Sequence, residues 1–336
     1  MLTAVCGSVL AMGAAKADDP RRLNDRLTGD ITGVHDPAII RAGDSYYLFS
    51  TTLAPQGDAR KPQIPCRVSH DLLTWHQSGF VFPAVPDWAL TAIPEIHDLW
   101  APDISFLDGQ YWLYYACSTG GSNCSAIGVA TSPALDQSAP WTDHGLVLQS
   151  RQPDDFNAID PAHFVDRSGQ RWLAFGSFWS GLKLVALERV TGKPAAGPLA
   201  LVSLASRPVP QGAPDAIEAS FLFERHGWYY LVASYDWCCK AAASTYYTVI
   251  GRSRDVRGPY LGRDGRPMVD GYGTVLLRAD FRDRDRFRGP GHCAVLQDRT
   301  QDYIVYHAYD ADNRGMPTLQ IAPLAWSADG WPRAVM

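Results

Sequence analysis

The chain has 336 residues, of which 19% are charged, and a net charge of -5 with no block of like sign, so it carries no polybasic footprint for nucleic acid. Eleven Trp and 15 Tyr among so few charges imply a large packed core or aromatic-lined sites and exclude a disordered chain.

Residues 1–17 are mostly small and apolar and end on Ala15-Lys16-Ala17, an A-x-A type cleavage signal. A secretory leader is expected there, although the usual positive front is missing, with a mature chain over 18–336 that is secreted or periplasmic. No later stretch reaches the roughly 18 apolar residues of a membrane helix, so no membrane partner is expected. A monomer is expected.

Further along the chain one pattern recurs: an apolar strand, a Gly- or Asp-containing turn, then a strand rich in Tyr, Trp and Phe. The pairs are HDPAII with DSYYLFS, APDISFL with GQYWLYYAC, IDPAHFV with GQRWLAFGS, IEASFLF with HGWYYLVAS, and GHCAVLQ with TQDYIVYHAY. Each unit continues into β-type text such as SAIGVATS or TVIGRS, and no stretch shows sustained helical periodicity with caps. Repeated four-strand units predict an all-β, single-domain, five-bladed β-propeller. The stretch from Pro194 to Pro214 could instead link two stacked β-domains, but the repeat crosses it without a break, so it reads as a loop between blades.

In a propeller the innermost strands line a central channel, so residues at one phase of the repeat converge. The polar residue of each block is Asp36, Asp103, Asp160, Glu218 and His292, a costly concentration of carboxylates that tends to raise pKa values or recruit a cation. Taken singly, an Asp before Pro is often only a turn-former. Five in register, with Ile159 and Pro161 or Ile217 and Ala219 as apolar neighbours, favour a site for Asp36, Asp160 and Glu218. Carboxylates across a cleft, without a Gly-rich phosphate loop or a G-x-S-x-G elbow, suit glycoside hydrolysis.

Six cysteines follow the leader, with Cys117 and Cys124 bracketing the turn-like STGGSN as the best candidates for a local bridge. Adjacent Cys238 and Cys239 can form a vicinal bridge, pair separately or stay free. Zinc spacing is absent.

The motifs VHDPAII, LWAPDI, STGGSNCSAIG, NAIDP, GSFWSG, AIEASF, YDWCC, STYYTVIGRS, GPY, GPGH and DGWP, in that order from about Val34 to Pro332, resemble the arabinanases of glycoside hydrolase family 43. The resemblance implies a five-bladed propeller that cleaves α-1,5-linked L-arabinofuranose, with arabinan as partner and inversion of configuration. It implies Asp36 as general base, Glu218 as general acid and Asp160 as the residue that holds and tunes the acid. It further implies a cleft lined by Asp36, Gly121, Asn157, Ala158, Ile159, Asp160, Ser177, Phe178 and Trp179, with Trp100 a weaker candidate. His292 would face a central calcium ion held largely through water; read alone, a His beside Cys293 is equally a hydrogen-bonded core residue. Asp103 supports the site or is structural. Endo action is the leading expectation, an exo-acting α-L-arabinofuranosidase or β-xylosidase the enzymatic alternative, and a non-catalytic glycan-binding propeller the alternative from another class.

Overall fold

The computed structural model describes residues 23–53, 58–208, 215–279 and 285–336; the leader expected over 1–17 lies outside them. Within these residues the chain forms five antiparallel sheets, each built from one consecutive stretch of sequence. Blade one contains β2 (Ala38–Ala42), β3 (Ser45–Phe49), β4 (Gln63–Ser69) and β5 (Thr74–Phe82), joined on its outer edge by the short parallel strand β1 (Thr28–Gly29). Blade two is β6 (Leu99–Leu107), β7 (Gln110–Cys117), β8 (Ser125–Ser132) and β9 (Thr142–Ser150), and blade three is β10 (Ala162–Val165), β11 (Arg171–Phe175), β12 (Leu182–Leu187) and β13 (Val202–Ala205). Blade four is β14 (Ile217–Arg225), β15 (Trp228–Tyr235), β16 (Tyr247–Ser253) and β17 (Thr274–Leu277). Blade five is β18 (Phe287–Asp298), β19 (Gln301–Asp310), β20 (Met316–Trp326) and β21 (Pro332–Ala334).

This is the five-bladed propeller that the repeat predicts. The recurrent Gly turns explain its hairpins: Asp108-Gly109 and His226-Gly227 have both residues at positive φ, as a two-residue turn between twisted antiparallel strands requires. Within the stretch read as a loop between blades, Val202–Ala205 instead form β13 of blade three, and residues 209–214 lie outside the described residues. One short helix, α1 (Asp87–Ala92), departs from the all-strand expectation.

Aromatic-rich strands alternate their side chains between faces, so a blade presents apolar residues to both neighbours. The buried residues accordingly divide into clusters at the interfaces between successive blades. Phe49 and Ile64 of blade one pack with Leu113 and Tyr115 of blade two, and Tyr114 and Val129 of blade two with Phe175 and Val185 of blade three. The same arrangement continues from blade three to four and from four to five. Between blades five and one, Val305, Leu319 and Ile321 meet Leu48 and Trp75.

The N-terminal segment joins the first and last blades. Thr28 and Gly29 pair with Thr74 and Trp75 of β5, while Gly33 N–H donates to the Pro317 carbonyl, Leu319 N–H to the Ile31 carbonyl, and Ile321 N–H to the Asn24 side chain. Every β2–β21 sheet is sequential, so the ring is closed by this strap rather than by a shared blade.

Candidate active site

Each innermost strand carries, just before it or within its first half, a residue other than glycine with positive φ: Asp36 (52°), Ala101 (38°), Asp160 (55°), Ala219 (59°) and His292 (49°). Pairing registers shift around the second, fourth and fifth of these, as expected of a bulge at the channel mouth. The bulges correct the phase expected from sequence. Asp103 stands two residues beyond the axial position, which Ala101 occupies, and Glu218 one residue before it, level with His35, Trp100 and Ile159.

Left-handed backbone at a non-glycine residue costs on the order of 1–2 kcal/mol, and side chains of the preceding blade offset it. Ala101 N–H donates to Thr51 Oγ1 (2.7 Å), Ala219 N–H to Asp160 Oδ2 (3.0 Å), His292 N–H to Ser234 Oγ (2.9 Å) and Asp36 N–H to His307 Nδ1 (3.1 Å). Between blades two and three Asp103 Oδ2 accepts the His163 N–H at 2.7 Å, three residues beyond the left-handed Asp160. Asp103 therefore ties blades together, and its burial pushes its pKa up to about 7 against the pull of that bond.

Asp36 is held at its N–H and at both carboxylate oxygens. Its Oδ1 meets His35 Nδ1 at 2.8 Å and His292 Nδ1 at 2.9 Å, and its Oδ2 accepts Thr51 Oγ1 at 2.5 Å. Burial alone would raise its pKa, but the two imidazoles outweigh burial and hold the carboxyl well below the usual range. The Nδ1 that accepts the Asp36 N–H belongs to His307, which is fully buried and whose pKa burial drives well below that of a free imidazole, so it stays neutral and able to accept.

Glu218 shows the opposite behaviour. Burial, with a contribution from the negative charge of Asp36, raises its pKa in spite of hydrogen bonds from Ser177 and Tyr246; the Ser177 Oγ to Glu218 Oε2 distance is 2.7 Å. Asp160 is raised to about 8, first by burial and then by Glu218 and Asp36. Its bond to the N–H of Ala219 anchors the backbone next to Glu218. His292 is pushed up to about 9, because the charges of Asp36, Asp160 and Glu218 outweigh the burial that opposes protonation.

These groups open onto a cavity of about 630 Å³ lined by His35, Asp36, Trp100, Ile159, Asp160, Glu218, His292 and Tyr309, with Cys238 and Cys239 on one wall. Asn157 and Ala158 are buried beneath this surface rather than on it. Ser177 serves the carboxyl of Glu218, Phe178 packs on Trp237 at 5.0 Å between ring centres, and Trp179 is half-buried. Gly121 lies in an exposed turn after β7, at the same end of its blade as Trp100, with open space around its Cα.

The cysteines differ from expectation. Cys238 and Cys239 form a vicinal disulfide, whereas Cys117 is a buried free thiol and Cys124 an exposed one. Cys117 is packed in the core cluster between blades one and two. Residues missed from sequence are His35, Thr51, Tyr246, His307 and Tyr309. His307 and Tyr309 stand two apart on β19, hence on one face, and a polar pair at period two in an apolar strand was the available signal.

Among the described residues His35, Asp36 and His307 come close enough to share a metal ion. Both imidazole Nδ1 atoms already contact Asp36, and nitrogen donors ill suit a hard cation. Asp36, Asp160, Glu218 and His292 line the same cavity without forming such a close ligand group among the described residues.

The family model for glycosyl hydrolases family 43 matches residues 31–332. The chain is 40% identical over 300 residues to an extracellular endo-α-(1→5)-L-arabinanase of Bacillus subtilis, covering 89% of this chain and 87% of that one. It is 39% identical over 343 residues to an extracellular exo-α-(1→5)-L-arabinofuranosidase of Cellvibrio japonicus, covering 99% and 90%. A solved endo-arabinanase from Bacillus licheniformis superimposes with a TM-score of 0.82 at 41% identity, covering 91% of this chain and 99% of the other.

Proposed function

The chain belongs to glycosyl hydrolases family 43, and on that premise we propose that it is a secreted, monomeric endo-arabinanase that cleaves internal α-1,5-L-arabinofuranosidic bonds of arabinan with inversion. The observation that carries the reading is the contrast between two carboxyls of one cleft: imidazoles hold Asp36 well below the usual carboxylate range, and burial raises Glu218 above its own. Such a split assigns base and acid.

Asp36 accepts a proton from water as the water oxygen bonds to the anomeric carbon. Glu218 gives its proton to the glycosidic oxygen as the bond from that carbon breaks, so attack and departure occur on opposite faces and the configuration inverts. Asp160 orients the acid through Ala219. Ile159, Trp100 and the disulfide wall supply surface for the sugar, and Ser177 keeps the Glu218 carboxyl aimed. A calcium ion facing His292 and held largely through water belongs to the same proposal. Secretion is supported by the leader-like residues 1–17 and by the relatives named extracellular.

The 39% identical exo-acting relative supports a second reading, release of single arabinose units from chain ends. Incubation with linear arabinan, following product length over time, decides between them. Early oligosaccharides of mixed length support endo action, and monomer alone from the outset overturns it. Loss of neither activity nor melting temperature on chelation would remove the calcium.

A further inference from the structure

Asp36 is reached from the disulfide wall by one continuous line of hydrogen bonds. Cys239 N–H donates to Tyr309 Oη at 2.8 Å, which leaves the phenol its own proton to give. His35 Nε2 lies 2.8 Å from that oxygen, against 3.8 Å for Cys239 Sγ, so the imidazole is the better acceptor. An acceptor role at Nε2 sets the tautomer: the proton sits on Nδ1, directed at Asp36 Oδ1 2.8 Å away. The ring of His35 stacks on that of His307 at 3.8 Å between centres, which fixes its plane. Tyr309 is buried and His35 nearly so, and both line the cleft.

We propose that Tyr309 and His35 are positioning residues of the base: anchored by the Cys238–Cys239 turn, they select the imidazole tautomer that donates to Asp36 and so aim its carboxylate at the attacking water. This rests on Asp36 being the base. The geometry resembles the logic by which a carboxylate or a backbone group sets a catalytic histidine, with the order reversed: here the phenol sets the histidine, and the histidine sets the carboxylate. Since the line of bonds ends on Asp36, its loss is expected to act on turnover more than on substrate affinity.

The test compares His35→Ala, His35→Asn, His35→Gln, Tyr309→Phe and Asp36→Ala on linear arabinan, with melting temperatures as the folding control. His35→Ala is expected to lower kcat by about tenfold or more with KM nearly unchanged, the scale of one charge-assisted hydrogen bond. His35→Asn places an amide N–H where Nδ1 stands and recovers most of the rate. His35→Gln reaches toward Tyr309 instead and recovers little. Tyr309→Phe lowers kcat less than His35→Ala, again without change in KM.

Equal recovery by Asn and Gln, or a loss confined to KM, overturns the proposal. If His35→Ala does not fold, Tyr309→Phe decides alone, and a kcat within about twofold of wild type overturns it. An active Asp36→Ala would instead remove the base assignment; an inactive one beside unaffected His35 and Tyr309 variants removes only the positioning role.

Discussion

At the scale of single residues, similar carboxyls acquire different chemistry from what touches them. Asp36 receives two imidazole contacts and a hydroxyl, Glu218 two neutral hydroxyls, and the first is held low while the second is held high. With Asp36 as the proposed base and Glu218 as the proposed acid, activity needs the first ionised and the second protonated, so the rate should rise as pH climbs through the low Asp36 value and fall as it climbs through the raised Glu218 value. A bell-shaped profile of kcat/KM on arabinan is the expected result. In Glu218→Gln the alkaline limb disappears, and the remaining rate drops by roughly a hundredfold to ten-thousandfold. The carboxyl of Asp160 acts one step away, through a backbone bond to Ala219, so Asp160→Asn should lower kcat by a smaller factor than Glu218→Gln; steady-state kinetics of the two variants side by side checks the order.

At the scale of elements, a left-handed residue near the start of each innermost strand, set in a bulge in blades two, four and five, is what carries a residue to the channel mouth. Gly291 precedes the left-handed His292 of blade five, and a Cβ there would lie 2.2 Å from Cδ1 of Tyr246. Gly291→Ala therefore displaces a ring that hydrogen-bonds Glu218, and is expected to lower both kcat and the melting temperature. Thr51 sits at the joint between blades one and two, donating to Asp36 and accepting from Ala101. Thr51→Val keeps the shape and removes both bonds in a buried setting, an expected loss of about 1–3 kcal/mol by denaturant unfolding. Much at this scale was legible beforehand. Alternating aromatic strands and Asp-Gly or His-Gly turns leave few options but hairpins, since both turn residues must take positive φ. The bulge phase was not legible, because Asp, Ala and His all occupy it, and no residue type marks a left-handed site that hydrogen bonds from another blade support.

At the scale of the whole molecule, the axis gathers charge that makes stability depend on pH. Asp160 is raised from its ordinary value to about 8 and His292 from 6.5 to about 9, so each favours its protonated form in the folded state. The stability they contribute is complete below their unfolded values and is lost as pH rises through the folded ones. Asp36 contributes in the other sense, losing stability as pH falls toward its lowered value. The melting temperature should therefore fall from near-neutral pH to about pH 9, and scanning calorimetry across that range checks it. His292→Gln should flatten the part of the decline above about pH 7. What the chain by itself determined was the count of blades, the strand order within each and the carboxylates from which the site is drawn, because hairpins and alternation are local and repeat in sequence. Only the tertiary structure decided the axial phase, the vicinal disulfide in place of the Cys117–Cys124 bridge, the strap from Asn24 to Gly33 and the line from Tyr309 through His35 to Asp36. These depend on contacts between residues far apart in the chain, where hydrogen-bond geometry across blade interfaces selects the partner and local pattern carries no record of the choice.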